Sequence, residues 1–446
     1  MKIYPPALEI GDKEGFTPEK DIFGQAELGK GMTNLVSTIS DPLVIAFNGK
    51  WGTGKTTFLK MWAGELRKLG FPVICFDAFE NDYVDDAFAV LAREIIELAE
   101  DEKPENEKII DNLKENTIKL GAQLLKGAAK VGTKVVIRAA TAGLLKESDL
   151  KEAIQENADE AAEEYMSDFL TKPKEQKDIV ANFRKALEEL PALIAPLKEN
   201  EKQKSLVFII DELDRCKPLF ALQILERIKH FMSVPNVHFV FGVHLGQLER
   251  SVQFAYGTDI DDATVYLQKF INLTISNADT AEYDHDKHIV RYVQYLQKTL
   301  SLSAHTDTHY IVEFLQRVAL KNHYSLRILE RVYTNIVLAV AFTSENKNFE
   351  PSLIAGLCIL KVVEPNLFKK AKLGQLEYSD IEKTFGFSNL PPEDENYKLN
   401  SDRDDWEYVL SNPLPDRLKI GSRSDNNRKN KFAYMVNEIV DRLDHV

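Results

Sequence analysis

The sequence predicts an α/β fold: a sheet that carries a phosphate-binding loop, is split by a helical insertion and is followed by a helical domain. Three observations predict it. Residues 49–56 read Gly-Lys-Trp-Gly-Thr-Gly-Lys-Thr directly after the apolar run 43–47. A second apolar run, 206–210, ends in Asp211-Glu212-Leu213-Asp214-Arg215. Between these segments and after them lie long stretches of helical periodicity, the first of them rich in Ala, Glu, Lys and Leu.

The first apolar run reads as a buried strand, and the eight residues after it fit G-x-x-x-x-G-K-[ST]. Composition alone would yield that pattern in a chain of this length about once in a hundred, and the flanking strand and helix make chance rarer still. The glycines let consecutive backbone N–H groups turn inward around a triphosphate. Lys55 reaches the β/γ-phosphates, Thr56 offers a hydroxyl to Mg²⁺, and the helix beginning at Thr56 points its positive end at the anion. Gly49, Trp51, Gly52, Thr53, Gly54, Lys55, Thr56 and Thr57 are the expected nucleotide contacts.

The second run places two carboxylates at the carboxyl end of a buried strand, where α/β sheets keep their ligands. Asp211 suits holding Mg²⁺ through water, and Glu212, beside the γ-phosphate, suits orienting and deprotonating an attacking water. The alternative is a strand end that turns into solvent with charged residues. The phosphate loop in the same chain weighs against it.

At 446 residues the chain has room for two to three domains, and its 44% hydrophobic content is ordinary for a globular protein. Cys75, Cys216 and Cys358 are widely spaced and form neither a disulfide framework nor a C-x-x-C zinc signature, which fits a reducing compartment. The first residues lack a signal-peptide pattern, and no stretch approaches the ~18 apolar residues of a spanning helix. A cytoplasmic location without a transmembrane segment is therefore expected. The formal net charge of −14 disfavours non-specific contact with nucleic acid or anionic membrane over most of the surface.

Taken along the chain, residues 43–47 and 72–77 supply two strands with a helix between them, and residues 206–210 and 237–243 supply two more, separated by an amphipathic helix over 220–232. The expected organisation is a nucleotide domain in two parts, 1–84 and 205–280, around a helical insertion, 85–204. A lid-like helical domain, 281–385, follows, and then a loop-rich tail, 386–446, with a terminal helix over 432–443.

These residues carry a resemblance. The loop with its flanks, residues 47–57, the segment Ile209-Ile210-Asp211-Glu212-Leu213-Asp214-Arg215-Cys216-Lys217-Pro218, and residues 262–270 with Tyr266-Leu267-Gln268-Lys269-Phe270 together resemble the KAP family of P-loop NTPases over about residues 18–340. Phe76-Asp77-Ala78-Phe79 stands where the family usually has a Phe-Asn-Ala-Trp-like strand. The resemblance implies a P-loop NTPase sheet of the additional-strand type, ATP as the nucleotide, and roles in anti-phage defence or plasmid-borne exclusion in bacteria.

Two departures stand out. Many relatives have an aspartate where this chain has His244, so His244 is either the sensor of the γ-phosphate or a satisfied strand-end histidine. Relatives also often carry membrane-spanning helices in the insertion, whereas here that stretch is interrupted by Lys119, Lys126, Lys130, Lys134 and Arg138. The last four recur every four residues opposite an apolar face, so this segment reads as a cationic amphipathic helix. Its basic side is either a solvated outer face or a contact for a membrane surface, nucleic acid or a protein partner.

Further candidates surround the site. Asp21-Ile22-Phe23-Gly24 resembles the family's amino-terminal element near the adenine, with Phe23 as the contact; an ordinary turn and helix cap is the competing reading. Arg327 is placed like the lid arginine of related ATPases, or it pairs on the helix surface with Glu330 or Glu313. Arg215 acts as an arginine finger on a neighbouring subunit, or it braces Asp211 and Asp214. Glu212, Lys55, Arg215 and Arg327 are thus the expected catalytic residues, with Thr56 and Asp211 on the metal.

The function expected is Mg²⁺-dependent ATP hydrolysis coupled to conformational change or assembly, in a homo-oligomer and with a protein partner or effector. A slow ATP-gated switch that recruits an effector is the alternative. A small-molecule phosphotransferase is weaker, because it has no use for the Asp211-Glu212 pair.

Overall fold

The computed structural model describes residue 5 and residues 8–84, 86–102, 107–126, 173–196, 202–257, 260–276, 282–300, 308–342, 350–387, 397–415, 418 and 425–442. The chain divides into two compact units. One is Glu9–Lys50 with Gly54–Asn277, and the other is Met1–Leu8, Trp51–Thr53 and Ala278–Val446.

In the first unit, α1 (Ala26–Thr38) leads into β1 (Leu43–Asn48), and α2 (Lys55–Lys68) leads into β2 (Val73–Asp77). The described parts of the insertion are α3 (Ala87–Glu102), α4 (Glu107–Lys126) and α5 (Pro173–Ile194). Then come β3 (Leu206–Asp211), α6 (Pro218–Arg227), β4 (Val237–Val243), α7 (Leu245–Tyr256), α8 (Ile260–Leu267) and β5 (Leu273–Ser276). The amphipathic helix expected over 220–232 is α6, with Pro218 in its first turn, continued by a wider π-type turn over Ile228–Met232.

The strands form one parallel sheet in the order β2-β3-β4-β1-β5. β4 lies between β1, which enters the phosphate loop, and β3, which carries the carboxylates, so the sheet is of the additional-strand type. Near-continuous apolar runs such as Val237–Val243, buried along their whole length, are what a parallel sheet covered on both faces requires. On one face Phe58, Leu59, Trp62 and Leu66 of α2 pack against Ile45, Phe47, Val207, Ile209 and Val240, with the Phe47 and Phe58 rings stacked 4.5 Å apart. On the other face Phe88, Leu91, Leu113, Leu120, Phe183 and Leu187 share a core with Phe208, Ile210, Phe239 and Phe241. The described ends of the insertion are therefore part of the sheet's covering layer.

β5 is an addition to the strands read from sequence. It is four residues long with Leu273 and Thr274 exposed, so it shows neither alternation nor a buried run. Its place is set by β1, to which Asn272 is tied twice: its N–H donates to Val44 O at 2.9 Å, and its Oδ1 accepts from Val44 N at 2.8 Å.

The second unit contains α9 (Glu282–Thr299), α10 (Thr308–Lys321), α11 (Leu326–Phe342), α12 (Pro351–Val363), α13 (Pro365–Lys372), α14 (Tyr378–Phe385), α15 (Tyr397–Leu410) and α16 (Asp425–Tyr434). The stretch expected to be loop-rich holds α15, and the terminal helix begins at Asp425 and ends in a π-type turn, Met435–Val440. The largest residue that α15 buries is a tryptophan. Trp406 is fully buried, lies over Gly356 of α12 and donates its indole N–H to Ser352 O at 3.3 Å. A Cβ at Gly356 would stand 2.3 Å from the Trp406 ring. Burial of so large a ring, with Val409 buried on the same helix, helps to offset a run of polar residues over 400–405.

No described helix is long and apolar enough to cross a membrane. Lys130, Lys134 and Arg138 of the expected basic face lie outside the described residues, as does the side chain of Lys126.

His238, in β4 beside Leu43 of β1, is fully buried. Burial pushes its imidazole below the ordinary 6.5, with the Ile39 and Val36 backbone opposing the shift only in part. The folded chain therefore refuses a proton that the unfolded chain accepts, and the stability contribution present above about pH 6.5 is lost as pH falls from there toward the folded value. Thermal melts between about pH 7.5 and pH 5 are expected to show this acid-side loss, and His238→Gln is expected to reduce it. An identical pH dependence in both proteins would show that His238 does not contribute.

Candidate functional site

The phosphate loop begins where β1 ends. Gly49 donates its N–H to Val243 O at 3.0 Å, which ties the loop to the end of β4. Gly52 and Gly54 have φ of 77° and 85°, so the chain turns through the left-handed region twice before α2 starts at Lys55. That is the conformation in which successive N–H groups converge on an anion, and it favours glycine. Lys55 is only 9% exposed, and its ammonium donates to Gly49 O at 2.8 Å and Lys50 O at 3.1 Å across the loop. Burial lowers its pKa, while Asp214, Asp211 and Glu212 pull the other way. Thr53 is buried, Thr57 is half-buried and Trp51 is exposed.

At the end of β3, Asp211 accepts a hydrogen bond from the Thr56 hydroxyl and a second from the Glu212 N–H at 3.0 Å. Burial raises its pKa, and these two bonds and Lys55 oppose the rise. The two motifs, 155 positions apart, thus meet through one hydroxyl–carboxylate contact. The register allows it: Asp211 is paired with Gly242 on β4, and a Cβ there would lie 2.2 Å from Asp211 Oδ1 and 2.6 Å from Leu59 Cδ1. A glycine inside a strand signals such a close approach. Sequence reading passed over Gly242 because it sits within an otherwise uniform apolar run.

Glu212 leaves the strand at φ 60°, an uncommon value for a residue with a side chain, and opens a short 3₁₀ turn over Leu213–Arg215. Burial is the main cause of its raised pKa, helped by the Asp211 charge, and Arg215 opposes it. Arg215 forms an ion pair with Glu212 through its Nε. The ion pair is thus with Glu212, whereas the brace reading named Asp211 and Asp214. Cys216 is buried against the same turn, and burial pushes its thiol well above the usual range.

Asp77 ends β2 directly beside Asp211, and its charge adds to the rise of both Asp211 and Glu212. Its Oδ1 accepts from Glu80 N at 3.0 Å, which shapes the turn after β2. Asn48 at the end of β1 accepts from Leu245 N at 3.0 Å and so anchors the start of α7. Neither role was legible in the sequence, since both depend on which strands are neighbours. His244 lies between β4 and α7; burial lowers its pKa, and the Asp214 charge opposes this.

The remaining candidates divide. Asp21 caps α1, accepting from Gln25 N at 2.8 Å and Ala26 N at 3.0 Å, which is the turn-and-cap reading of that segment; Phe23 is half-buried beside it. Arg327 is exposed in the first turn of α11, in the unit that also includes Trp51–Thr53. Within that unit a Cβ at Gly52 would stand 3.1 Å from Arg327 Cβ. The carboxylates expected as surface partners of Arg327 have other contacts: Glu330 accepts the Tyr292 hydroxyl, and Glu313 pairs with His309 at 3.0 Å.

A nucleotide and a magnesium ion fit these residues. The left-handed glycines and the buried Lys55 suit a polyphosphate, and the Thr56 hydroxyl with the Asp211 carboxylate form a hard, all-oxygen donor pair. Among the described residues no group of three or more His, Cys, Asp or Glu could hold a metal by itself. A cation here would take its other ligands from phosphate and water, as Mg²⁺ does.

Gly242→Ala is expected to push the Asp211 carboxylate off the Thr56 hydroxyl. Magnesium-dependent nucleotide affinity should then fall by about tenfold or more, with a loss of about 1–3 kcal/mol in stability. Calorimetric titration with and without Mg²⁺ checks this, and an unchanged affinity would show that the space is not needed.

A model of the KAP family P-loop domain matches residues 30–342. No curated protein matches the sequence at a significant level. Among solved structures the chain is similar to the Aeropyrum pernix ORC2 protein in its ADP form, at 10% identity and a TM-score of 0.35, covering 98% of this chain and 88% of that one. It is also similar to the ADPNP-ADP complexes of the same protein, at 10% identity and a TM-score of 0.33, covering 98% and 97%. A likeness that weak bears on nothing further. The family match spans well over half of the sequence and includes the phosphate loop, the additional strand and the carboxylate strand: this chain belongs to the KAP family of P-loop NTPases.

Proposed function

We propose that the protein is a Mg²⁺-dependent ATPase that couples ATP binding and hydrolysis to rearrangement or assembly of its helical parts. The observation that carries this reading is the contact between the two motifs, with the Thr56 hydroxyl on Asp211 and Lys55 in the field of Asp211, Asp214 and Glu212. In this reading the loop N–H groups and Lys55 bind the β- and γ-phosphates. Thr56 and Asp211 would hold Mg²⁺, which would supply positive charge to the phosphate oxygens. Glu212 takes the proton of the attacking water at its carboxylate, and its burial makes it a stronger base than an exposed glutamate. In this reading His244, just past the strand between the two motifs, is the polar sensor of the γ-phosphate.

Arg327 is proposed, from its likeness to the lid arginine of related ATPases, to act on the γ-phosphate from its own chain. The output, from the family resemblance, is anti-phage defence through recruitment of an effector or further copies of the chain. A phosphotransferase is disfavoured, since it needs no Asp211-Glu212 pair.

Lys55→Ala is expected to weaken ATP binding by at least about tenfold. Glu212→Gln is expected to retain ATP while hydrolysis falls by about 10²–10⁴-fold. Free phosphate released without any acceptor is the measurement. Hydrolysis by Glu212→Gln at the parent rate would remove Glu212 as the base, and tight retention with negligible release by the parent protein would favour an ATP-gated switch.

Arg327→Ala is expected to lower kcat by about tenfold or more while ATP affinity changes less, because an arginine that meets charge on the γ-phosphate acts chiefly in the transition state. A parent-like kcat would leave Arg327 as a surface residue.

A further inference from the structure

The turn after β3 is built more firmly than a loop that only connects a strand to a helix. Glu212 is held at φ 60°, and its carbonyl accepts the Arg215 N–H at 3.0 Å and lies 3.7 Å from the Cys216 thiol. One residue on, Lys217 donates its N–H to Asp82 Oδ2 and its ammonium to Asp82 O, both at 3.0 Å, and Pro218 then starts α6. These bonds fix the backbone on both sides of Arg215. Its guanidinium is brought back onto the Glu212 carboxylate, with the two side chains 30% and 18% exposed.

The charges around Glu212 explain why such a brace is needed. Asp211, Asp214 and Asp77 all act on it with the same sign, so without a cation its carboxylate is driven outward to water. Arg215 counters that push, and its Nε gives the bond a direction that a point charge lacks. The pair is partly buried, so salt screens it less than a surface pair.

We propose that Arg215 is a positioning residue that holds the Glu212 carboxylate in place within its own chain and does not reach a neighbouring subunit's nucleotide. The proposal rests on Glu212 acting as the base. An arginine finger directed at another chain would have to leave this pair and expose Glu212 to three like charges. Arg215 therefore acts through Glu212, and its loss should reach turnover and leave binding intact.

The experiment measures ATP affinity with a fluorescent ATP analogue and kcat by phosphate release, in Arg215→Ala, Arg215→Lys, Glu212→Gln and the double variant Glu212→Gln/Arg215→Ala, with thermal melts as the folding control. Arg215→Ala should keep ATP affinity within about twofold and lose about ten- to a hundredfold in kcat. Arg215→Lys should recover part of the rate, and the double variant should be no slower than Glu212→Gln. Mixing Lys55→Ala chains with Arg215→Ala chains should restore no activity. Parent-like kcat in Arg215→Ala, with Glu212→Gln inactive, would overturn the brace and leave the base assignment standing. Recovered activity on mixing would overturn it in favour of action across subunits. Parent-like hydrolysis by Glu212→Gln would remove the base assignment and the brace with it. If Arg215→Ala melts early, Arg215→Lys carries the test, and a rate equal to that of the parent with its altered geometry would refute the directional role.

Discussion

A carboxylate that must stay charged at the end of a buried strand is the constraint around which this site is organised. Asp211 is removed from bulk water, which disfavours its ionised form, and the fold compensates with the Thr56 hydroxyl, the Glu212 N–H and the Lys55 charge. Each compensation comes from a different place in the chain. The arrangement exists only if β3 is one strand away from β1, which the order β2-β3-β4-β1-β5 provides. It also requires that the intervening strand leave room, which Gly242 does. The additional strand is therefore a spacer of fixed width as well as a structural element.

The same constraint governs the charges nearby. Lys55 is buried and disfavoured as a cation by its surroundings, yet it lies in the field of three carboxylates. Asp211 and Glu212 are both raised chiefly by burial, and Glu212 also by the Asp211 charge; Lys55 relieves the first and Arg215 the second. A balance of this kind suits an anion at the loop, in keeping with nucleotide binding by a P-loop domain. The left-handed Glu212 belongs to this balance as well. A strained backbone of this type costs about 1–3 kcal/mol, and here it turns the carboxylate toward Arg215 while leaving its N–H on Asp211.

The helical unit follows a different logic. Its interior is organised by large aromatic side chains, with Trp406 packed on Phe385 at 5.0 Å and on Phe432 at 5.9 Å. A glycine, Gly356, makes the space for Trp406 as Gly242 does for Asp211. In both places one residue without a side chain permits a close approach on which a larger group depends.

Much of this was legible from the sequence because it is local. Glycines at fixed offsets, a lysine and a threonine before an apolar-periodic run, and two carboxylates after a short apolar run are contiguous signals, and they located the loop, the carboxylate strand and three more strands. What the sequence left open depends on neighbours distant in the chain. Which carboxylate Arg215 pairs with, Glu212 and not the Asp211 or Asp214 named from sequence, depends on the turn that brings it back onto Glu212. β5 was invisible because an exposed four-residue strand has no pattern of its own and is defined by its pairing with β1. The tail from residue 386 read as loop because its composition is polar, and the burial of Trp406 and Val409, with contacts from Asp402 and Asp405 to other helices, gives α15 a place to dock. Periodicity and motif spacing report what a segment prefers by itself. Register, burial and the partner of a charge are properties of pairs of segments, and they exist only once the chain has closed on itself.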